Sequence, residues 1–147
     1  MGFGVIDVDP RGKAVLVDAG VIRTPVNEDD AVRLHTIYDE ITEVIKTTKP
    51  EVMAVEKLFF ITNVKTAMTV AQARGVVLLC GMQSELEISE YTPLQIKQAL
   101  TGYGRAEKKQ IQEMVRVILG LKETPKPDDA ADALATAITH SMTIRSS

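Results

Sequence analysis

The sequence contains few of the residues that build redox or zinc chemistry. Its single cysteine, Cys80, lies in the apolar segment Val76–Cys80. It has no intramolecular disulfide partner, and we expect it to pack as a small hydrophobic side chain. The two histidines, His35 and His140, do not combine with cysteine at a zinc-binding spacing. Any metal in this protein would therefore have to be held by carboxylates.

Long apolar runs and a targeting segment are also missing. The segment Gly75–Met82 is among the longest apolar runs, and it is much shorter than a membrane-spanning helix. Residues 1–7 lack the charged start and apolar stretch of a secretory signal peptide. We therefore expect a soluble, cytoplasmic protein without a membrane partner. Because the 147 residues are 45% hydrophobic, they can bury one core, and we predict a single domain over residues 1–147.

The overall charge gives no sign of a nucleic-acid partner, because the formal net charge is −3. Basic residues nevertheless gather in one segment in which only Glu107 and Glu113 are acidic; they are Lys97, Arg105, Lys108, Lys109, Arg116 and Lys122. This local excess is typical of a phosphate-binding patch. A solvated helix face would show the same pattern, so charge alone leaves both interpretations open.

Hydrophobic periodicity predicts a chain that starts with strands and continues with alternating helices and strands. Short strands within residues 3–8, 14–17 and 21–22, separated by turns at Asp9–Gly12 and Ala19–Gly20, are expected to form an antiparallel meander. The later predicted elements are helix Ala31–Lys49, strand Val52–Val55, helix Val64–Gly81, strand Leu86–Tyr91, helices Leu94–Leu100 and Glu107–Leu119, and a last helix with Asp128 as its N-cap. This order predicts an α/β fold in which helices cover a mixed sheet on both faces.

Three acidic residues stand out as candidate metal ligands. Asp129 and Asp132 are three residues apart on the last helix and share a face, which Thr136 and His140 continue. Acidic residues in a first helical turn also interact favourably with the helix dipole, so this pair alone has a structural explanation. Glu56 ends an apolar strand, where an unpaired carboxylate would be costly. Carboxylates from a strand end and a helix are what metal-dependent phosphodiester hydrolysis requires.

Short segments of the chain occur in the order in which the RuvC family of Holliday junction resolvases has them. These segments are Val55–Phe59, Gln72–Gly75, Glu90–Tyr91, Gln95–Gln98, Gly102–Lys108, Asp129–Leu134 and Ala137–His140. Each of them is a weak signal alone, but coincidence does not explain so many in one order, and the match covers essentially the whole chain. The sequence therefore resembles the RuvC family.

The resemblance implies a ribonuclease H-like fold and a structure-specific DNA endonuclease. Such a protein is expected to be a homodimer that binds four-way DNA junctions and nicks two strands symmetrically in DNA recombination and repair. The implied cofactor is Mg²⁺, with two ions in each active site and Mn²⁺ as a substitute. By this resemblance Glu56, Asp129 and Asp132 are the catalytic, metal-binding carboxylates.

The resemblance also implies DNA-contacting residues. Phe59 resembles an aromatic residue proposed to stack on junction bases, although a core aromatic would fit the sequence as well. Lys97 and Lys108 resemble the DNA-contacting lysines of the family, and Arg105 lies in the same basic segment. A branch-migration complex of the same pathway is a further expected partner.

One departure from the family pattern affects the expected activity. The family begins with a strand that carries a Gly-Ile-Asp-Pro-Gly segment, and the aspartate of this segment is a fourth metal ligand. In the family's sheet this first strand lies between the strands that correspond to residues 3–8 and 52–55. No residue here matches that aspartate, because Asp7 falls in the family's second strand. We therefore expect residues 1–147 alone to cleave junctions poorly. Two alternatives stay open: another ribonuclease H-like nuclease acting on RNA–DNA hybrids or in transposition, and a non-catalytic DNA-binding or structural protein.

Overall fold

The computed structural model describes residues 1–25, 27–57 and 64–145. The elements within these residues are β1 (Gly2–Val8), β2 (Ala14–Val21), α1 (Asp30–Thr48), β3 (Val52–Glu56), α2 (Val64–Gln83), β4 (Glu87–Tyr91), α3 (Pro93–Thr101), α4 (Lys108–Leu119) and α5 (Asp128–Arg145). The predicted helices are confirmed within a few residues at their ends. Among the described helices, none is both long and apolar enough to cross a membrane.

The chain packs into two compact units. The first unit comprises Met1–Val21, Ala54–Lys57 and Ser89–Ser147, and the second comprises Ile22–Met53 and Leu58–Ile88. The boundary between the units falls within β3 and β4, so both strands contribute residues to each unit. That residues 1–147 act as one domain stays a prediction.

β1 and β2 form an antiparallel ribbon whose register runs from Gly2 opposite Val21 to Val8 opposite Ala14. The prediction of a separate strand at residues 21–22 is wrong, because β2 continues through the expected turn at Ala19 and Gly20. Phe3 pairs with Gly20, and a Cβ on Gly20 would lie 3.0 Å from two ring atoms of Phe3. The aromatic ring therefore covers the glycine, which keeps an otherwise weak strand residue in the sheet.

The second ribbon joins β3 to β4. Just beyond β3, the Lys57 backbone N–H donates to the Tyr91 carbonyl oxygen at 2.7 Å. In the described part of the chain the β1–β2 and β3–β4 ribbons are separate two-stranded sheets, and no strand pairing links β1 to β3.

The core of the first unit lies between α5, α4, α3 and the β1–β2 ribbon. Leu134, Ile138 and Val115 are fully buried in it. The first turn of α5 lies so close to β1 that a Cβ on Gly2 would overlap the Asp129 carbonyl oxygen, which explains the glycine. Asp128 is the first residue of α5 and not its N-cap, so the predicted start was one residue late.

The second unit is built on the contact between α1 and α2. Ile37 and Ile41 of α1 are buried, and the Arg33 Nη2 donates to the Gln72 Oε1 at 2.8 Å. Cys80 of α2 is 1% exposed, with its Sγ 3.8 Å from the Thr42 hydroxyl. Burial raises the pKa of this thiol. The prediction that Cys80 packs as a core residue is confirmed.

One face of α2 is apolar and exposed. It contains Val64, Met68, Ala71, Gly75, Leu79 and Met82, which recur at steps of three and four and thus share one side of the helix; we call this side the outer face of α2. Its large side chains are 76% (Val64), 61% (Met68), 50% (Leu79) and 66% (Met82) exposed. A stripe of this kind is uncommon on a surface that meets only water.

Candidate active site

A cavity of about 280 Å³ in the first unit brings charged side chains together. It lies where the end of β3 meets α3, the start of α4 and the second turn of α5. Four of its lining residues are charged, namely Glu56, Lys97, Lys108 and Asp132. The other lining residues are Pro93, Ile96, Ala106, Ile111 and Ala135. Carboxylates and ammonium groups therefore share a cavity with largely apolar walls.

Glu56 enters this cavity as the last residue of β3. Burial raises the pKa of its carboxyl, the negative charge of Asp132 raises it further, and the positive charge of Lys108 lowers it. A raised pKa means that the ionised form is held at a cost here, so a nearby cation would be favourable. The prediction that β3 delivers a partly buried carboxylate is confirmed by this geometry.

Asp132 comes from the second turn of α5. Burial raises the pKa of this carboxyl, Lys108 lowers it by its charge and hydrogen bond, and Asp129 and Asp128 raise it. The next residue on the predicted polar stripe, Thr136, is buried, and its hydroxyl donates to the Asp132 carbonyl oxygen at 3.1 Å. A solvated face therefore does not extend to Thr136, since that side chain is buried and its hydroxyl bonds within the helix.

Lys108 is the first residue of α4, directly after Glu107, whose capping box with Gln110 fixes the start of the helix. Its Nζ lies 3.4 Å from the Asp132 Oδ2 and 3.9 Å from the Asp128 Oδ2. The lysine and aspartate side chains of the closer pair are 57% and 39% exposed, so solvent weakens this attraction. One ammonium group thus spans two carboxylates of the first α5 turns.

The structure brings together only part of the predicted site. Asp129 is exposed and lines a separate, open depression with Lys126, Pro127 and Asp128. Arg105 is exposed in the segment between α3 and α4 and does not line the cavity. Phe59 lies outside the described residues. Of the seven predicted site residues, the cavity therefore contains Glu56, Lys97, Lys108 and Asp132.

The residues of this cavity fit a hard divalent cation by their chemistry. Glu56 and Asp132 supply carboxylate oxygens, and the Lys108 ammonium already provides Asp132 with a positive charge. Among the described residues, no group of three or more His, Cys, Asp or Glu side chains is arranged to hold a metal ion. The described residues of this cavity therefore supply two carboxylate ligands for a cation, Glu56 and Asp132.

Sequence reasoning missed Asp128 as a partner of Lys108. Asp128 and Asp132 are separated by one helical step of four residues, which places them about 40° apart around the axis, closer than the 60° between Asp129 and Asp132. That spacing was visible in the sequence and could have identified the pair. No sequence signal identifies the apolar walls, because their residues are far apart in the sequence. Pro93 is the first residue of α3, Ala106 lies between α3 and α4, and Ala135 belongs to α5.

Comparison with known proteins identifies the family. The sequence model of the family described as "Crossover junction endodeoxyribonuclease RuvC" matches residues 1–140. A relative of that name from Fusobacterium nucleatum is 55% identical over 140 residues, covering 95% of this chain and 73% of the relative. Another, from Heliobacterium modesticaldum, is 52% identical over 144 residues, covering 97% of this chain and 88% of the relative.

Solved structures agree with the sequence comparisons. A Thermus thermophilus RuvC structure superposes with a TM-score of 0.92 at 40% identity, covering 99% of this chain and 89% of that chain. T. thermophilus RuvC in complex with Holliday junction substrate gives a TM-score of 0.90 at 37% identity, with coverages of 99% and 88%. The predicted ribonuclease H-like fold is confirmed, and the chain belongs to the RuvC family of crossover junction endodeoxyribonucleases.

Proposed function

We propose that this chain is a DNA endonuclease that cleaves four-way junctions at the cavity formed by β3, α4 and α5. The carrying observation is that two half-buried carboxylates, Glu56 and Asp132, line this cavity together with Lys97 and Lys108. Acidic ligands and basic phosphate contacts side by side are what hydrolysis of a phosphodiester needs. The family is a nuclease family that requires a divalent metal, and a related structure holds a Holliday junction.

In this proposal Glu56, Asp132 and Asp129 hold the cation. Glu56 and Asp132 line the cavity, and Asp129 is one helical turn away from Asp132, close enough to raise the pKa of that carboxyl. Mg²⁺ is the proposed ion, with two ions in each site and Mn²⁺ as a substitute. When bound, such ions activate water and stabilise the leaving oxygen. The apolar walls keep the carboxylates partly dehydrated, which strengthens their attraction for a cation.

The basic residues position the DNA backbone. Lys97 and Lys108 line the cavity itself, so a phosphate held by them would lie beside the carboxylates. Arg105 is exposed on the adjoining segment and is proposed to contact a phosphate outside the cavity. Phe59 is proposed to stack on a junction base, on the strength of the family resemblance alone.

We propose further that the protein is a homodimer and that two copies meet through the outer face of α2. Gly75 supports this contact because it lies in mid-helix, where glycine costs about 1 kcal/mol relative to alanine. Nothing lies within 4 Å of a Cβ built on it, so its own chain does not require the glycine. A second helix crossing closely at Gly75 and Ala71 would require it.

A second copy of the chain is the occupant that best fits this surface. The outer face of α2 is apolar along its whole length, so two identical faces are complementary to each other. A two-fold dimer also carries two equivalent cavities, which two symmetric nicks in one junction require. Contact with a branch-migration complex and a cytoplasmic location stay predictions.

Cleavage of three synthetic substrates tests the function. A labelled four-way junction, a linear duplex of the same arms and an RNA–DNA hybrid would each be incubated with the protein and 10 mM Mg²⁺ or Mn²⁺, a concentration of roughly the order that weak carboxylate sites need. In a version extended by the family's first strand, we expect nicking of the junction at symmetric positions and little cleavage of the other two substrates. Residues 1–147 alone should nick the junction poorly, because no residue matches the fourth metal ligand. Binding to each substrate would be measured in parallel, in Ca²⁺.

Each alternative result has a definite meaning. Preferential cleavage of the hybrid would indicate another ribonuclease H-like nuclease and contradict the junction proposal. Tight junction binding without cleavage in any metal, by the version extended by the first strand, would indicate a DNA-binding protein without catalysis. If the protein neither binds nor cleaves any of the three substrates, the assignment of the cavity as a DNA site is contradicted.

A further inference from the structure

The Lys108 side chain already occupies a cation-like position in this site. Its Nζ is 3.4 Å from one oxygen of Asp132 and 3.9 Å from one oxygen of Asp128, and its positive charge also acts on Glu56. A lysine ammonium is a compact point charge on a flexible stem of four carbons. It can therefore neutralise a carboxylate in one position and reach a phosphate in another.

A divalent ion and this ammonium would compete for the same oxygen. An ion held by Asp132 would lie within a few ångströms of the Lys108 Nζ in its present position, where two positive charges repel. The second partner, Asp128, does not line the cavity, so Lys108 keeps a carboxylate nearby even when it leaves Asp132. Lys97 lines the same cavity but has no comparable ion pair in the described part of the chain.

We propose that Lys108 is the built-in counter-cation of Asp132, displaced by the divalent ion and thereby released to hold a backbone phosphate of the DNA. This inference rests on the proposed function, because it takes the cavity to be the cation and phosphate site. It makes Lys108 a positioning residue that couples the two ligands. Metal binding should strengthen junction binding through Lys108, and by thermodynamic linkage junction binding should strengthen metal binding by the same factor.

The direct test measures Mn²⁺ binding to the DNA-free protein by electron paramagnetic resonance of the free ion. Lys108→Met should tighten Mn²⁺ binding by about three- to fivefold, the range expected for removing one half-exposed charge partner. Lys97→Met is the matched control, since it removes a charge from the same cavity without freeing a carboxylate, and its effect should stay below about twofold. Lys108→Arg keeps the charge and should bind Mn²⁺ like the unaltered protein. Circular dichroism and thermal unfolding verify that each variant is folded.

A second measurement examines the coupling itself. Junction affinity would be compared with and without Ca²⁺, a hard oxygen-binding ion used here so that DNA is bound without being turned over, for the unaltered protein and for both methionine variants. The gain in affinity caused by Ca²⁺ should be largely lost in Lys108→Met and kept in Lys97→Met. Background charge effects cancel in this ratio, because each protein is compared with itself.

The outcomes separate this inference from the proposed function. Unchanged or weaker Mn²⁺ binding in Lys108→Met, or equal tightening in Lys97→Met, would overturn the counter-cation role while leaving junction cleavage intact. Absence of Mn²⁺ binding in every protein would overturn both this role and the cation part of the proposed function. Tightening only in Lys108→Met, together with failure of the version extended by the family's first strand to cleave junctions, would support the role and contradict the cleavage.

Discussion

The cavity of the first unit and the outer face of α2 depart from ordinary folding preferences in opposite directions. In the cavity, Glu56 and Asp132 are charged groups partly removed from water, and burial raises the pKa of both. On the outer face of α2, Met68 and Leu79 are apolar groups left in water. Each departure is costly for an isolated chain, and each would be relieved by a ligand of matching chemistry. A bound cation would stabilise the carboxylates of the cavity, and contact with another apolar surface would remove the outer face of α2 from water.

Helix α4 shows what an ordinary surface helix of this protein looks like. It buries Ile111, Val115 and Leu119 on one side and presents mainly charged and polar residues on the other. Its Val117 is 52% exposed, but Gln110 and Glu113 on the same side of the helix are polar and Met114 is partly buried. A single exposed valine is normal in soluble proteins. Six exposed residues on one face of α2, none of them polar, are therefore a different kind of feature.

The largest expected effect comes from placing a charge on the outer face of α2. Leu79→Glu should raise the dissociation constant of the dimer about a hundredfold or more, because two carboxylates would be buried near the two-fold axis. Sedimentation velocity over a range of protein concentrations measures it. Val117→Glu on α4 is the matched control and should leave the dimer unchanged. A monomeric unaltered protein, or a dimer that tolerates Leu79→Glu, would contradict the proposed contact.

The next effect concerns the cavity. In a version extended by the family's first strand, Glu56→Gln should lower the nicking rate at least tenfold and weaken Mn²⁺ binding, because it removes a ligand charge while keeping the side-chain shape. Junction binding should be kept. Glu113→Gln on the exposed side of α4, where the carboxylate pairs with Arg116, is the control and should nick normally. More than about a tenth of the original rate in Glu56→Gln would show that Glu56 is not a required ligand.

Salt concentration should affect junction binding at the cavity more than dimer formation through the outer face of α2. Junction binding should weaken as salt rises, and Lys97→Ala should reduce the slope of log affinity against log salt by about 0.9, one phosphate contact's share. Lys108→Ala should do the same. Lys46→Ala, an exposed lysine in the last turn of α1, should leave the slope unchanged. The dimer should respond little to salt, because its proposed contact is apolar. An unchanged slope in Lys97→Ala would mean that the basic segment is only a solvated face.

The smallest expected effect is on stability and depends on pH. Because burial and the Asp132 charge raise the pKa of Glu56, the folded state holds that proton more tightly than the unfolded state does. The resulting stability is present below about pH 4, the ordinary glutamate range, and is lost as pH rises through the raised value. Glu56→Gln avoids that loss, so its Tm should exceed that of the unaltered protein at pH 7.5 by roughly 1 to 3 °C.

Thermal unfolding with EDTA at pH 7.5 and pH 4 tests this sign. The difference in Tm between Glu56→Gln and the unaltered protein should shrink or vanish at pH 4, where Glu56 is largely protonated. Glu113 is the opposite case, because its hydrogen bond to Arg116 lowers its pKa. Glu113→Gln should therefore lower the Tm at pH 7.5. A Glu56→Gln protein that is less stable than the unaltered protein at pH 7.5 would contradict this prediction. It would show that interactions in the folded protein offset the cost of burying the ionised Glu56 carboxylate.

The sequence predicted the helices well because their apolar residues recur at helical spacing over ten residues or more. It also predicted Glu56 at the end of a strand, since an apolar run followed by a carboxylate needs no tertiary information. It failed at Ala19 and Gly20, which read as a turn. There, cross-strand cover from Phe3 keeps the glycine in β2, and a pairing partner is not visible locally.

Within the site, the sequence identified residue types better than their arrangement. It paired Asp129 with Asp132, whereas the structure places Asp132 in the cavity and Asp129 at a separate depression. The bridge from Lys108 to Asp128 and Asp132 joins two helices and depends on how they pack. The outer face of α2 could not be predicted for a similar reason. The sequence shows that a helix is apolar, but only the folded structure shows which of its sides is covered by the rest of the chain.

The buried thiol of Cys80 gives this protein an internal reporter. It lies between α1 and α2 at 1% exposure, and burial raises its pKa, so a thiol reagent can reach its reactive thiolate only when these helices separate. The rate of modification by such a reagent therefore measures the opening of the second unit. A dimer that holds α2 in place should slow this reaction as protein concentration rises. The single cysteine makes the signal unambiguous without any engineered label.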